Sequence, residues 1–410
     1  MVPYETSHPP LGKVFMSWSI MVFGMTPFGW RFAGALAGIL MLPGIYLLAR
    51  QLTKKTWIAA FACSLMALDC MHLTQTQIAT IDSFPVLFII YAFFFMLRFT
   101  QTDLSACSLK TALIPLACSG LFMGLSIASK WIGIYAGIGL AILYFWHCIR
   151  NIRIYRQKET EGPDVFSRCC ILSLWCVLFF AVIPAAIYLL SYIPYMAYNT
   201  RISNPGDYLN AVWRAQISMF NYHSTPGLGM DHPFYSPWWE WPIIGKPMFY
   251  ATEQYIQNEA PLHHSIFCFG NPALWWGALA ALPAAVFLWL REKHYKIEGC
   301  DDRWHLLSRS WDIRYEFVFV SLIVQYLPWV LVPRGTYIYH YFASVPFLIM
   351  IISVCLDCNS PKTEKAMKIT GAAILFLAVI LFMVLLPYTT GMAAPKEWLD
   401  LGKNILRIWY

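Results

Sequence analysis

The chain has 410 residues, of which 59% are hydrophobic and only 12% charged. A soluble domain carries roughly 25% charged residues, so too little polar surface remains for a water-soluble fold of this length. The net charge of +7 reads as an excess of basic residues in membrane-protein loops rather than as a nucleic-acid-binding surface.

The polar, proline-bearing start Met1–Pro10 does not have the pattern of a cleavable signal peptide. Leu11–Met25 is apolar but short of the roughly 20 residues that cross a bilayer, and reads as a helix at 11–25 lying in the interface. Ten spans are predicted, near Trp30–Arg50, Trp57–Met71, Ser83–Phe99, Thr111–Ala128, Trp131–Cys148, Cys170–Tyr192, Pro272–Leu290, Tyr315–Val332, Tyr339–Leu356 and Ile369–Leu386. The predicted fold class is therefore an all-α polytopic membrane protein. Its parts are an N-terminal membrane region (1–190), an external loop region (191–269) and a C-terminal four-helix membrane region (270–410). The Trp- and Pro-rich run His232–Pro242 in the loop region reads equally as an interfacial anchor or as a cap over a lipid-linked substrate. The twelve Cys are scattered through apolar runs, and the lone pair Cys355 and Cys358 reads as structural.

Basic residues mark every second loop: Arg50, Lys54 and Lys55; Arg98 and Lys110; Arg150, Arg153 and Arg156; Arg291 to Arg314; Lys362 to Lys368. These loops are expected in the cytoplasm, which puts both termini outside. An outside N-terminus without a signal peptide is expected if one more span precedes Met1.

The polar residues at the outer ends fall into four clusters. Tyr4–Lys13 presents Glu5, His8 and Lys13 on a backbone stiffened by two prolines, and Arg31 follows at the head of the first span. Asp82 closes an external loop and by itself reads as a helix cap. Ser129-Lys130-Trp131 separates two apolar runs, and Pro333–Tyr341 carries Arg334, Tyr339 and His340. Singly, these residues read as interfacial anchors. Together, Lys13, Arg31, Lys130 and Arg334 put four cations on one side of the membrane, which suits an anionic lipid phosphate. No Walker, Rossmann or HExxH pattern occurs, no metal-ligand spacing is evident, and no cofactor or nucleic acid is implied.

The run His8-Pro-Pro-Leu-Gly-Lys13, then Pro27-Phe-Gly-Trp-Arg31, Ala79-Thr-Ile-Asp82, Ser129-Lys130-Trp131 and Tyr337-Ile-Tyr-His-Tyr341, in that order, resembles the dolichyl-phosphate-mannose–protein mannosyltransferases and their bacterial relatives. The resemblance implies a C-type glycosyltransferase bundle in the cell membrane with its active site outside. It implies a polyprenyl-phosphate sugar donor, a Ser or Thr of an exported protein as acceptor, and inversion at the sugar. It places Arg31, Lys130, Arg334 and the nearby tyrosines at the donor phosphate, with His8, Lys13, Trp131, Tyr339 and His340 among the substrate contacts. The family's main acid belongs to a segment ahead of Met1. Glu5 and Asp82 are then the candidate catalytic carboxylates of this chain. Gln77 stands near a position often basic in relatives, which alters the charge balance expected around Asp82. The external segment is too short for the extra domain of fungal and animal members, which favours a bacterial type. Membrane lipids are expected partners, and a homo- or heterodimer stays open. The rival readings are an inactive scaffold subunit and a multi-span transporter or flippase.

Overall fold

The computed structural model describes residues 7–158, 164–197, 202–257, 260–297, 313–357 and 361–406. The first half contains α1 (Leu11–Phe23), α2 (Pro27–Thr53), α3 (Thr56–Ala67), α4 (Cys70–Gln77), α5 (Ser83–Thr100), α6 (Leu109–Ser129), α7 (Ile132–Lys158), α8 (Val165–Val177) and α9 (Ile183–Met196). Then come α10 (Pro205–Ser224), β1 (Met248–Gln257), β2 (Ala260–Cys268), α11 (Pro272–Ile297), α12 (Arg314–Tyr326), α13 (Val345–Leu356), α14 (Pro361–Thr390), β3 (Ala394–Pro395) and α15 (Lys396–Leu406).

Among the described residues, eight helical segments are long and apolar enough to cross a membrane, nine if the bent pair α3–α4 is one span. This corrects the expected ten. The expected span Tyr315–Val332 is a 13-residue helix continued by a five-residue 3-10 turn, Leu327–Leu331. Pro328 has no N–H to give the carbonyl four residues back, so the α-helical ladder ends there. The expected interfacial helix is α1, 13 residues long and about 20 Å in length.

Local chemistry sets several boundaries. Thr26 caps α2 by accepting from Gly29 N–H, with Pro27 at the first helical position. Asn204 does the same for α10, with Pro205 following. Helix α5 and the segment Ile338–Leu356 are the most enclosed spans. Phe93 of α5 stands edge-on to Phe347 of α13 at 4.9 Å and to Phe317 of α12 at 6.0 Å.

The bent span α3–α4 turns by 57° beside Asp69, which is fully buried. Its carboxylate accepts from His72 N–H at 3.1 Å, Asn271 N–H at 2.9 Å and the Trp275 indole at 3.1 Å. The sequence reading confined ionisable residues to the outer ends and missed this one. Three donors satisfy it inside the protein, so it ties the bent span to Asn271 and to Trp275 of α11.

One end of the bundle gathers α1, the 78–82 loop, the α6–α7 break, α10 and the sheet. The segment read as an external loop contains a 20-residue helix and a hairpin. Strands β1 and β2 pair antiparallel, and β3 adds to β2 through Leu262↔Pro395 and His263↔Ala394. The helical bundle thus carries a small sheet that the all-α expectation did not include. At the opposite end, Asp357 pairs with Lys55 at 2.8 Å and with Arg314. Cys355 donates to Ala281 O at 3.4 Å, and Cys358 lies outside the described residues.

Candidate active site

Helix α6 ends at Ser129, and Lys130 adopts extended backbone before α7 begins. This break turns a long basic side chain back into the bundle. Lys130 is 5% exposed, and its Nζ lies 2.6 Å from Asp82 Oδ1 and 5.4 Å from the Tyr339 ring centroid. Asp82 sits at the head of α5 but makes no side-chain cap bond. The lone-residue reading of Asp82 as a cap is therefore wrong: its carboxylate goes to Lys130. Trp131 donates its indole N–H to Tyr188 at 3.0 Å.

Arg334 comes from the loop between the 3-10 turns Leu327–Leu331 and Ile338–Ser344. Gly335 lets this loop press on the external segment, where a Cβ would stand 2.4 Å from Gly229 O. Backbone bonds Gly335 N–H to Leu228 O and Gly227 N–H to Pro333 O hold the two strands of chain together at 2.8 and 3.0 Å. Arg334 is 8% exposed. Its Nε donates to His223 Nδ1 at 3.0 Å and its Nη1 to Gly335 O at 2.8 Å. His223, at the end of α10, reaches the Ser7 carbonyl through Nε2 at 2.8 Å, and its ring lies 5.3 Å from that of His8.

The His8 imidazole is held well below its ordinary 6.5 by burial first, then by Lys130, His223, Lys13 and Arg334. Lys13 is thus within the field of the same cluster. His340 is buried between Tyr339, Trp329 and Trp241, with ring centroids at 4.4, 4.4 and 6.1 Å, and Tyr337 N–H donates to its Nδ1 at 3.0 Å. Trp241 is fully buried, and Thr336 bonds Ser236 O at 2.9 Å. The Trp- and Pro-rich run is therefore docked on the late loop, over the tyrosine cluster.

His8, Lys130, Trp131, His223 and Arg334 line one cavity of about 350 Å³. Its other wall is apolar, with Phe220 63% and Leu331 83% exposed at the lip. Arg31 stands exposed in the first turn of α2, and among the described residues no hydrogen bond or ion pair joins it to this cluster. Glu5 lies outside the described residues. Sequence reasoning missed His223 and its neighbour Tyr222, whose ring lies 5.6 Å from the Arg334 guanidinium. The start signal Asn204-Pro-Gly-Asp207 could have revealed the helix that brings both into place.

Residues 15–198 match the family model described as dolichyl-phosphate-mannose-protein mannosyltransferase. Residues 208–406 match the C-terminal four-helix region of protein O-mannosyltransferase. The polyprenol-phosphate-mannose–protein mannosyltransferase of Mycobacterium tuberculosis is 26% identical over 95% of this chain and 78% of its own length. The protein of the same name from Corynebacterium glutamicum is also 26% identical, over 95% and 78%. Among solved structures, the S. cerevisiae Pmt1–Pmt2 complex bound to the sugar donor superposes with a TM-score of 0.77 at 12% identity, covering 97% of this chain and 85% of that one. ArnT from Cupriavidus metallidurans bound to undecaprenyl phosphate gives 0.54 at 14% identity, over 98% and 67%. With both halves matched in order, the chain belongs to the dolichyl-phosphate-mannose–protein mannosyltransferase family.

Proposed function

We propose that this chain transfers mannose from a polyprenyl-phosphate carrier to a Ser or Thr hydroxyl of an exported protein, with inversion, at the outer face of a bacterial plasma membrane. One observation carries this reading. The cavity has buried cations, Lys130 and Arg334, at one wall and exposed apolar side chains, Phe220 and Leu331, at its lip. A lipid phosphate offers an anion joined to an apolar chain, which matches both walls. The relatives' names supply mannose, polyprenol phosphate and a protein acceptor. The ArnT structure supports the carrier class, since a related fold there holds undecaprenyl phosphate.

In the reaction the acceptor oxygen forms a bond to the anomeric carbon, and the bond from that carbon to the phosphate oxygen breaks. The carrier phosphate leaves with an added negative charge. Lys130 and Arg334 stabilise that charge by charge-assisted hydrogen bonds. Asp82 orients Lys130 through its Oδ1. The hydroxyl proton goes to an external carboxylate, for which the sequence offers Glu5 and the second oxygen of Asp82. His8, Lys13, Trp131, Tyr339 and His340 complete the donor surroundings. The yeast relative was solved as a two-chain complex, and a homo- or heterodimer is the matching expectation here.

The test is transfer in liposomes, with the purified chain, polyprenyl-phosphate mannose and a Ser/Thr peptide. Mannosylated peptide is expected. Lys130→Ala and Arg334→Ala should each raise the donor KM about tenfold or more, the effect of losing one charge-assisted bond. Movement of the carrier across the bilayer without sugar transfer would instead favour the transporter reading.

A further inference from the structure

His223 was not a candidate in the sequence, yet it joins three distant segments at the cavity wall. Its Nε2 meets Ser7 O at 2.8 Å, and its Nδ1 meets Arg334 Nε at 3.0 Å. Its ring lies 5.3 Å from His8 and 5.8 Å from Trp131. The chemistry of the two partners fixes the tautomer. An arginine Nε can only donate, so Nδ1 is the acceptor. A carbonyl can only accept, so Nε2 carries the proton.

We propose that His223 is a positioning residue for the donor phosphate, acting through Arg334. The guanidinium has five N–H groups in a rigid plane. His223 and the Gly335 carbonyl take one each, and both bonds fix the orientation of the plane. Nη2 then has no hydrogen-bond partner among the described residues, and Nη1 keeps a second N–H. These two nitrogens form the fork that grips a phosphate with two parallel bonds. Without His223 the plane rotates about its stem and the fork loses its aim, although the charge stays in place.

This inference rests on the proposed transfer reaction. The experiment compares wild type, His223→Phe and His223→Asn of the full chain in liposomes. Donor KM, acceptor KM and kcat are measured, with a thermal melt of each protein. Phe keeps a flat ring but offers no acceptor. Asn can present Oδ1 near the place of Nδ1. The expected result is a donor KM raised about tenfold in His223→Phe, with acceptor KM and melt close to wild type, and recovery of most of that loss in His223→Asn. Equal donor KM in all three proteins overturns the inference and leaves the transferase reading standing. A fall in kcat and melting temperature together, shared by both variants, makes His223 a packing residue and also overturns it. If His223→Phe does not fold, His223→Ala takes its place: a donor KM raised about tenfold in it, with His223→Asn near wild type, sustains the role, and a donor KM within about twofold of wild type ends it. A wild type that neither binds nor uses the donor removes the transferase reading and this inference with it.

Discussion

At Asp82 the distinction between a cap and an ion pair has a measurable cost. The pair is largely enclosed, with side chains 7% exposed for Lys130 and 16% for Asp82. Removing one member of such a pair strands the other, at a cost on the order of 3–5 kcal/mol. Asp82→Asn should therefore lower the melting temperature in detergent more than Asp82→Asn and Lys130→Met combined, and additive losses would show that the two groups do not interact. His8 gives a second expectation. Its folded pKa is depressed from 6.5, so the unfolded chain takes up a proton that the folded chain refuses. Its contribution is whole above pH 6.5 and is lost as pH falls through the ordinary histidine range toward the lowered folded value. Wild type should melt earlier at pH 5 than at pH 7, and His8→Gln should flatten that dependence. A melt whose pH dependence is the same in both proteins would assign it to other groups. Lys130, Arg334 and His8 were legible as chemistry because costly charges stood beside apolar runs. Their partners were not, since Lys130 and Asp82 are 48 positions apart and Arg334 and His223 are 111 apart.

Among the elements, α6 and the long span Val165–Pro194 meet across a π-helical turn, Leu178–Val182. A Cβ on Gly120 would stand 2.2 Å from Phe179 O, and one on Gly124 would stand 2.9 Å from Pro184 Cα. Small residues let membrane helices approach this closely. Gly120→Ala should force the helices apart at a cost of about 1–3 kcal/mol, read as a lower melting temperature, and an unchanged melt would mean that the contact yields freely. Long apolar helices were plain in the sequence because period and length agree with a bilayer. The short or interrupted ones were less so. The bend at Asp69 depends on Asn271 and Trp275, some 200 residues away, and no local pattern announces it. Helix α10 was hidden by its own surface, where Leu209, Trp213, Ile217 and Phe220 are exposed on a helix taken for loop.

For the whole molecule, the positive-inside pattern leads to the expectation that the cavity faces the exported side. Single cysteines at Gly229 and at Arg153, in a chain otherwise cleared of reactive thiols, should label from outside and inside respectively with a membrane-impermeant reagent. The reverse pattern would invert the orientation. The sheet has a further consequence, for the order of synthesis. Its central strand β2 is completed on one edge by Ala394 and Pro395, which follow a membrane crossing. The ribosome adds about 5–20 residues per second, so roughly 130 residues separate β2 from its last partner and the edge at Leu262 waits about 7–26 s. During that interval an unpaired strand edge is open to any extended peptide. Final closure of this end of the bundle is therefore a late event in the making of the protein, after the last long helix has crossed.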